Sequence, residues 1–189
     1  MKHITKWLLL LLALTTSVTL AAVPQWQIIP NESNVTFTGT QNGAPATGNF
    51  KKLTGTIVID PNQLNASHVR IVIDMTSLYM SYSTLVTTLQ SADWFNVKQY
   101  PEAIFEATHF TKTGSNTYQA EGTLTIKGKT LPITIHFTAT SLSNTKGRAT
   151  GDVTINRLDY GVGQGQWADI SLVKNEVQVH FVITALKSP

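Results

Sequence analysis

The chain has 189 residues, of which 14 are Lys or Arg and 11 are Asp or Glu, and its formal net charge is +3 at pH 7. No basic run occurs beyond residue 22, which argues against a nucleic-acid partner because phosphate binding needs clustered Lys or Arg. The sequence contains no cysteine, which excludes disulfides, thiol chemistry and cysteine-based metal sites.

Residues 1–22 have the features of a secretory signal peptide. Lys2 and Lys6 precede an apolar run at 8–14, and Ala21 and Ala22 offer a cleavage site. The run is shorter than the stretch of about 20 apolar residues that spans a bilayer. We expect a cleaved leader, followed by one mature domain at residues 23–189. That domain has 12 basic and 11 acidic residues, so its charge is close to neutral.

From Val35 onward, apolar and polar residues alternate, which predicts strands with one buried face. Val35 and Phe37 begin the pattern, and the Asn42-Gly43 pair after them is a hairpin signal because both residues tolerate positive φ. A second strand is predicted at about 47–60. The third has its inward side formed by Val69, Ile71, Ile73 and Met75.

The alternation fails at 77–96, where a short helical insertion is predicted between the third and fourth strands. Its larger apolar residues fall on one side of helical turns, namely Leu78, Leu85, Leu89 and Trp94. Pro101 disfavours helix at the residue before it and indicates an extended exit. Because Trp94, Phe95 and Phe105 lie close together in the sequence, we expect this insertion to cover one end of the sheet.

Five further strands are predicted at 103–111, 118–127, 130–140, 149–156 and 177–185. About eight strands with short connections indicate consecutive antiparallel neighbours, and the periodicity fits a closed barrel and a β-sandwich equally well. Few large aromatics on the inward faces, the long insertion and the glycine-rich loop at 160–167 favour a barrel that contains a ligand.

No catalytic or metal-binding pattern is recognisable, and we expect a protein that is not an enzyme and binds no metal. The five histidines lack the spacing of a metal pair, and the Gly-x-Ser-x-Gly nucleophile motif is absent. The glycine-rich run 161–165 matches no phosphate-binding motif and is interpreted as a turn beside a ligand or a strand. Arg157 and Asp159 either form an ion pair at the barrel rim or are separately solvated.

Several segments together resemble the YceI-like family of periplasmic lipid-binding proteins. They are DMTSL at 74–78, LQSADWF at 89–95, YPEAIF at 100–105, GTLTIKG at 122–128 with Leu131-Pro132, and NRLDYGVGQGQW at 156–167. The resemblance implies an all-β, eight-stranded antiparallel, lipocalin-like barrel with a short helical insertion between strands 3 and 4. It also implies a periplasmic location and binding of a long isoprenoid chain, such as a polyprenol or a ubiquinone-type tail.

Segment 37–50 and the Gly-Gln-Gly-Gln-Trp ending at 163–167 look like the family branch found alongside cytochrome b561-type membrane proteins. This likeness implies a quinone ligand and a membrane cytochrome as partner, and the family also suggests a homodimer. Relatives commonly carry polar and acidic residues before Leu89, whereas this chain has the uncharged run 82–88. The departure implies a more apolar entrance, without a carboxylate contact to a head group.

The leading hypothesis is a non-catalytic carrier or reservoir for an isoprenoid lipid, with that lipid or quinone as ligand and no other cofactor. Two alternatives are a quinone-presenting accessory subunit of a membrane cytochrome b561-type redox system and a filled-barrel interaction module. The predicted lining and lid residues are Phe37, Phe50, Ile71, Ile73, Leu78, Leu89, Trp94, Phe95, Phe105, Tyr160 and Trp167.

Overall fold

The computed structural model describes residues 23–188. The predicted signal peptide and Pro189 lie outside the described residues. Within the described range, no helix is long and apolar enough to cross a bilayer.

The described residues form eleven strands and one α-helix. In chain order these are β1 (Gln25–Ile28), β2 (Asn34–Gln41), β3 (Ala44–Phe50), β4 (Leu53–Val58), β5 (His68–Asp74), β6 (Leu78–Tyr79), α1 (Ser83–Gln90), β7 (Glu102–Lys112), β8 (Thr117–Ile126), β9 (Lys129–Ser141), β10 (Lys146–Asn156) and β11 (Glu176–Lys187). Short 3-10 turns occur at Pro30–Glu32, Leu64–Ala66, Met75–Ser77, Arg157–Tyr160 and Gly165–Ala168.

The strands form one antiparallel sheet that closes on itself. β11 pairs with β10 on one side, and on its other side it pairs first with β2 and then with β1. β1 pairs in turn with β4, and β2 with β3. β1 and β2 are therefore two halves of one wall strand, as are β3 and β4. Counted this way, the sheet is the predicted eight-stranded antiparallel barrel, in which neighbours in sequence are neighbours in the wall.

The two interrupted wall strands differ from the predicted ones. The strand predicted at 47–60 breaks at Lys51-Lys52, where the Ser77 hydroxyl accepts from both backbone N–H groups at 3.2 and 3.1 Å. The insertion thus replaces two ladder bonds at this corner. β1, which was not predicted, is separated from β2 by a turn in which Ser33 bonds to both backbone groups of the fully buried Thr184.

Successive connections lie at alternate ends of the barrel, since each wall strand reverses direction. One end, called here the lid end, carries the 42–43 hairpin, the insertion 75–101, the 127–128 turn and the loop 157–175. The opposite turn end carries only the connections 59–67, 113–116 and 142–145. The predicted turns at 42–43 and 127–128 are confirmed as two-residue hairpins in which both residues have φ between 48° and 78°.

The helical part of the insertion is shorter than predicted. α1 covers Ser83–Gln90 and not the whole of 77–96. Threonine and valine at four of its eight positions are weak helix formers. Beyond Gln90 the chain folds into turns, with Asn96 in the left-handed region at φ 48° and its N–H bonded to the Ser91 carbonyl at 2.8 Å.

Candidate functional site

Two adjacent cavities occupy the interior of the barrel. A cavity of about 200 Å³ lies at the lid end, and one of about 580 Å³ extends to the turn end. They meet near the middle of the barrel, where they share the wall residues Val35, Ile73, Leu124, Ile155 and Val179. The larger one alone falls within the range of about 300–1,000 Å³ typical of small-molecule sites. The interior is therefore not the fully packed core that a filled barrel would have.

The walls of the larger cavity come from the inward phase of the strands. β9 contributes Ile133, Ile135 and Phe137, and β11 contributes Val179, Phe181 and Ile183. These branched and medium-sized side chains leave the barrel axis open. The outward phase is polar: His136 and His180 are exposed, as predicted, and His180 Nδ1 lies 2.8 Å from Asp152 Oδ1 on the outer surface.

The structure brings most of the predicted lining residues to the cavity walls. Those on the smaller cavity are Phe37, Phe50, Leu89, Trp94, Phe95, Tyr160 and Trp167. Ile71 and Phe105 line the larger cavity, and Ile73 lines both. Leu78 is buried in the core on β6 but lines neither cavity, because the β3–β6 pairing directs it into packing. As ligand contacts, these residues remain predictions.

Three phenylalanines form a cluster in the wall of the smaller cavity, with Phe95 edge-to-face on the other two. Phe37 and Phe50 come from neighbouring strands β2 and β3, and Phe95 descends onto them from the insertion. The ring centroids of Phe95 lie 6.3 Å from Phe37 and 6.0 Å from Phe50, at interplanar angles above 70°. Such tilted pairs are favourable beyond their buried area. The cluster fixes the insertion over this end of the barrel.

A guanidinium group is buried in the wall at the lid end. Arg157 is 3% exposed, and every one of its five N–H donors bonds to a backbone carbonyl. The acceptors, at 2.6–3.1 Å, are the carbonyls of Val162, Gly163, Trp167, Val173 and Lys174. Burial lowers the pKa of Arg157 from its ordinary value. This residue therefore organises the whole loop 157–175 around its side chain.

The predicted rim pair of Arg157 and Asp159 is wrong in both of its forms. Arg157 is neither solvated nor bonded to Asp159, which is exposed. The physical reason is the course of the loop 157–175, which turns five carbonyls toward one point, three from the glycine-rich stretch and two from Val173 and Lys174. The dipoles of these carbonyls compensate for the free energy of desolvating the buried cation. A carboxylate partner is therefore not needed.

The loop and the insertion are joined to each other at the lid end. The N–H groups of Gly163 and Gln164 both donate to the Asp93 carbonyl at 2.8 Å. The Arg157 guanidinium lies over the Trp94 ring, 5.6 Å from its centroid, which is a cation–π geometry. Trp94 also packs against Trp167 with centroids 5.7 Å apart. We call this set, residues 93–94 with 157–167, the clasp.

The clasp leaves one buried polar atom without a partner. Trp94 is 8% exposed and lines the smaller cavity, and its Nε1–H has no acceptor among the described residues. Over nine-tenths of buried polar groups in proteins are paired, so this donor is an exception.

The two ends of the interior differ in access. No described residue that lines the smaller cavity is exposed. At the turn end, in contrast, the exposed residues that line the larger cavity are Pro61, Ser115, Asn116, Thr140, Ser141 and Arg148. The larger cavity therefore reaches the surface between the turns. Within residues 23–188, no three His, Asp or Glu side chains are grouped so as to hold a metal ion.

Sequence reasoning missed several wall residues. Met75, Met80 and Leu85 line the smaller cavity, and the residues of β9 and β11 named above lie in strands that were predicted but were not included in the predicted site. For the residues of β9 and β11, the alternation of apolar and polar positions was a sufficient signal. Arg157 gave no such signal, since its partners are backbone atoms.

The sequence pattern of the YceI-like domain matches residues 26–185, which is most of the described chain. The chain belongs to the YceI-like family. It is 32% identical over 122 residues to a UPF0312 protein of Pseudomonas putida strain W619, a match that covers 61% of this chain and 62% of that relative. A UPF0312 protein of Vibrio cholerae is 29% identical over 139 residues, covering 69% of this chain and 74% of the relative.

Solved structures of similar proteins have the same fold. The crystal structure of BcnA from Burkholderia cenocepacia has a TM-score of 0.79 at 30% identity, covering 83% of this chain and 98% of that one. A structure from Saccharophagus degradans described as a polyisoprenoid binding domain has a TM-score of 0.71 at 16% identity, covering 89% of this chain and 100% of that one. This second likeness supports the fold alone.

Proposed function

We propose that this protein is a periplasmic, non-catalytic carrier or reservoir that binds a long isoprenoid lipid inside its barrel. The observation that carries the proposal is the pair of adjoining cavities along the barrel axis, with walls made almost entirely of apolar side chains. Membership of the YceI-like family supports it. The Saccharophagus structure, which is described as a polyisoprenoid binding domain, has the same fold.

Burial of a prenyl chain supplies the driving force. Each five-carbon unit removed from water is favourable by roughly 4 kcal/mol at about 0.8 kcal/mol per carbon, so a lipid of several units does not cross water unaided. A carrier must also release its cargo. Transfer depends on the difference between the affinity of the barrel for the lipid and that of the bilayer. The cavity should therefore bind the prenyl chain about as well as the bilayer does, and not much more tightly.

The composition of the walls supports binding rather than catalysis. Among the described residues, no Asp, Glu or His lines either cavity, so the interior offers no carboxylate or imidazole as a general base. The cation at the lid end has all of its donors occupied by carbonyls. What remains is a hydrocarbon surface with a polar rim.

Native purification followed by lipid extraction and mass spectrometry tests the proposal. We expect a prenyl lipid in stoichiometric amount when the protein is exported through its own secretion route and then purified. Failure to recover such a lipid from several independent preparations, together with the absence of a saturable site for a fluorescent apolar dye, would refute the carrier.

A second candidate is a quinone-presenting accessory subunit of a membrane cytochrome. The motif 163–167, whose glycines and tryptophan form part of the clasp, is the feature that favours this branch of the family. It predicts that quinone reduction in membranes slows when the protein is deleted. An unchanged rate would exclude it. A homodimer, predicted from the same resemblance, is measurable by light scattering of the purified protein.

A further inference from the structure

The larger cavity reaches the surface at the turn end, so its apolar interior meets water there. The opening lies among the connections 59–67, 113–116 and 142–145, and we call it the mouth. Ser115 and Asn116 line the cavity at this level and are exposed. A prenyl chain that leaves through the mouth enters water unless another apolar phase contacts the surface around it. The partner of that surface therefore decides how a lipid is exchanged.

Two wall strands change from apolar to cationic where they reach the mouth. In β11, Lys187 follows Ala185 at the spacing of two residues that keeps side chains on one face of a strand. In β7, Lys112 follows Phe110 in the same way. Ala185 and Phe110 still line the cavity. Lys112 Nζ lies 6.0 Å from the ring centroid of Tyr118, which lines the cavity too. Both lysines therefore lie at the edge of the mouth.

The charge around the mouth is positive on balance. The ion pairs within residues 23–188 do not include the two lysines at its edge. Lys146 and Arg148 also lie at this end, and both contact Glu32. The three connections around the mouth contain one acid, Asp60, whose Oδ1 accepts from the Asn62 N–H at 2.8 Å. Four cations are thus opposed by two carboxylates, and the two unpaired cations are those nearest the cavity.

Large apolar side chains are exposed beside these cations. Leu142 lies in the connection after β9, with its N–H bonded to the Lys146 carbonyl at 2.9 Å, and Leu186 pairs with Lys146 across the neighbouring strand. Both leucines are exposed, and so is Pro61, which lines the cavity. Exposed apolar groups among unpaired cations are typical of surfaces that bind the headgroup boundary of an anionic bilayer.

We propose that the turn end docks on the surface of an anionic lipid bilayer, with the mouth facing the acyl chains. Leu142 and Pro61 enter the headgroup boundary, and Lys112 and Lys187 contact lipid phosphates. A prenyl chain then passes between the cavity and the bilayer without crossing water. The purpose of this docking rests on the proposed function, whereas the docking itself is measurable without any cargo lipid.

The lid end is the competing surface. Leu172 and Tyr82 are exposed there, so apolar groups alone do not distinguish the two ends. The lid end differs in that no described residue that lines the smaller cavity is exposed. Its exposed acids Asp93, Asp159 and Asp169 lie among its lysines, so its charge has both signs. A bilayer at the lid end would contact neither an opening nor a cationic surface.

Single fluorescent labels test which end docks. The chain has no cysteine, so one substitution creates one labelling site. Leu142→Cys and Leu172→Cys are matched, because these leucines are 45% and 43% exposed at opposite ends. Each variant carries the polarity-sensitive fluorophore NBD and is mixed, after delipidation, with vesicles of equimolar phosphatidylglycerol and phosphatidylcholine.

We expect the emission from position 142 to shift to the blue and brighten, because the label leaves water, and the emission from position 172 to stay as it is in buffer. A shift at position 172 alone would place the docking at the lid end. A shift at neither position would mean that the protein does not dock. Either result would overturn the proposal.

Charge removal tests the two lysines. Each cation near an anionic bilayer strengthens binding by about fivefold, so Lys112→Gln/Lys187→Gln should bind the same vesicles about tenfold more weakly, or worse, in sedimentation. Lys98→Gln/Lys129→Gln removes two exposed cations at the lid end and should bind within about twofold of wild type. Equal losses in the two variants would mean that net charge alone attracts the vesicle and would refute a defined docking face.

Transfer of a cargo distinguishes failure of docking from failure of the carrier. Protein loaded with decylubiquinone is mixed with the anionic vesicles, and release is followed by recovery of the tryptophan fluorescence that the quinone quenches. The rate should rise with vesicle concentration and fall about tenfold in Lys112→Gln/Lys187→Gln but not in Lys98→Gln/Lys129→Gln. A rate independent of vesicle concentration would mean that the lipid crosses water, which overturns the docking and leaves the carrier intact. If decylubiquinone does not bind at all, the carrier is in doubt, and the label and sedimentation measurements still decide the docking.

Discussion

The lid end and the turn end close the same barrel by different physical means. At the lid end, two long segments are tied together by the clasp, and the tie depends on a buried cation whose desolvation is offset by five carbonyl groups. At the turn end, short connections leave polar, exposed residues in the cavity wall. Bonding at the turn end is instead partly exposed, as in the contacts of Lys146 and Arg148 with Glu32. The buried charge lies at the lid end, and the interior meets solvent at the turn end.

The difference is sharpest at the two arginines that line the interior. Arg157 is buried among carbonyls, whereas Arg148 is exposed at the turn end and bonds to Thr184 Oγ1 at 3.1 Å. Replacing Arg157 by Met removes all five hydrogen bonds and leaves buried acceptors unpaired. We expect a loss of roughly 3–5 kcal/mol in the free energy of unfolding, measured by urea denaturation.

Arg148→Met is the matched control and should cost no more than about 1 kcal/mol, because the ion pair of Arg148 with Glu32, 3.7 Å apart, is exposed to solvent. Similar losses for the two variants would show that the ends do not differ in the way described. Lid-end residues in Arg157→Met should also exchange amide hydrogens faster, because the loop 157–175 loses its organising side chain.

Gly163→Ala should weaken the clasp by straining its backbone. Gly163 has φ 77°, and a Cβ placed there would run into the Arg157 guanidinium. The left-handed conformation and the displaced side chain together should cost roughly 2–4 kcal/mol by the same denaturation measurement. Gly39→Ala is the control, since a Cβ at Gly39 meets nothing within 4 Å. An unchanged stability in Gly163→Ala would mean that the loop adjusts freely and that the clasp is not rigid.

The barrel wall was predictable from the sequence because its signals are local. Alternation along β9 and β11 identifies the inward side chains, and Asn42-Gly43 encodes its own hairpin. The lid aromatics Trp94 and Phe95 were also predictable, since a cluster of large rings in a polar region has to be covered.

The clasp was not predictable, for the opposite reason. Arg157 donates hydrogen bonds to backbone carbonyl groups. Because every residue has such a group, the residue types in the sequence do not identify its partners. The break between β3 and β4 likewise depends on a hydroxyl, Ser77, that arrives from the insertion 25 residues later. Leu78 was assigned to the lining because its spacing fits a helix, but the chain at that point pairs with β3.

The larger cavity, on the turn-end side, can be blocked without touching the clasp. Ala149 lies on its wall, opposite Ala139 and Ile183 in the neighbouring strands. Ala149→Phe should fill part of the cavity and weaken binding of a long prenyl chain by about tenfold or more, as the hydrocarbon loses roughly two carbons' worth of burial. Thr154→Phe places the same ring on the exposed outer face and should bind as wild type does. Equal binding by Ala149→Phe would show that the chain does not occupy this cavity.

The smallest expected effect concerns ionisation at the lid end. Burial, and secondarily the nearby Asp159, raise the pKa of Tyr160 above its ordinary value. A raised pKa means that the folded state prefers the neutral phenol, so Tyr160 contributes stability that is fully present below about pH 10 and is lost as pH rises through the folded-state pKa. The free energy of unfolding of wild type should therefore fall between pH 9.5 and 11.5 more steeply than that of Tyr160→Phe. Tyr82→Phe, at a 71% exposed position, should keep the wild-type slope; the same slope in Tyr160→Phe would mean that the lid end admits water to the phenol and is no better sealed than the turn end.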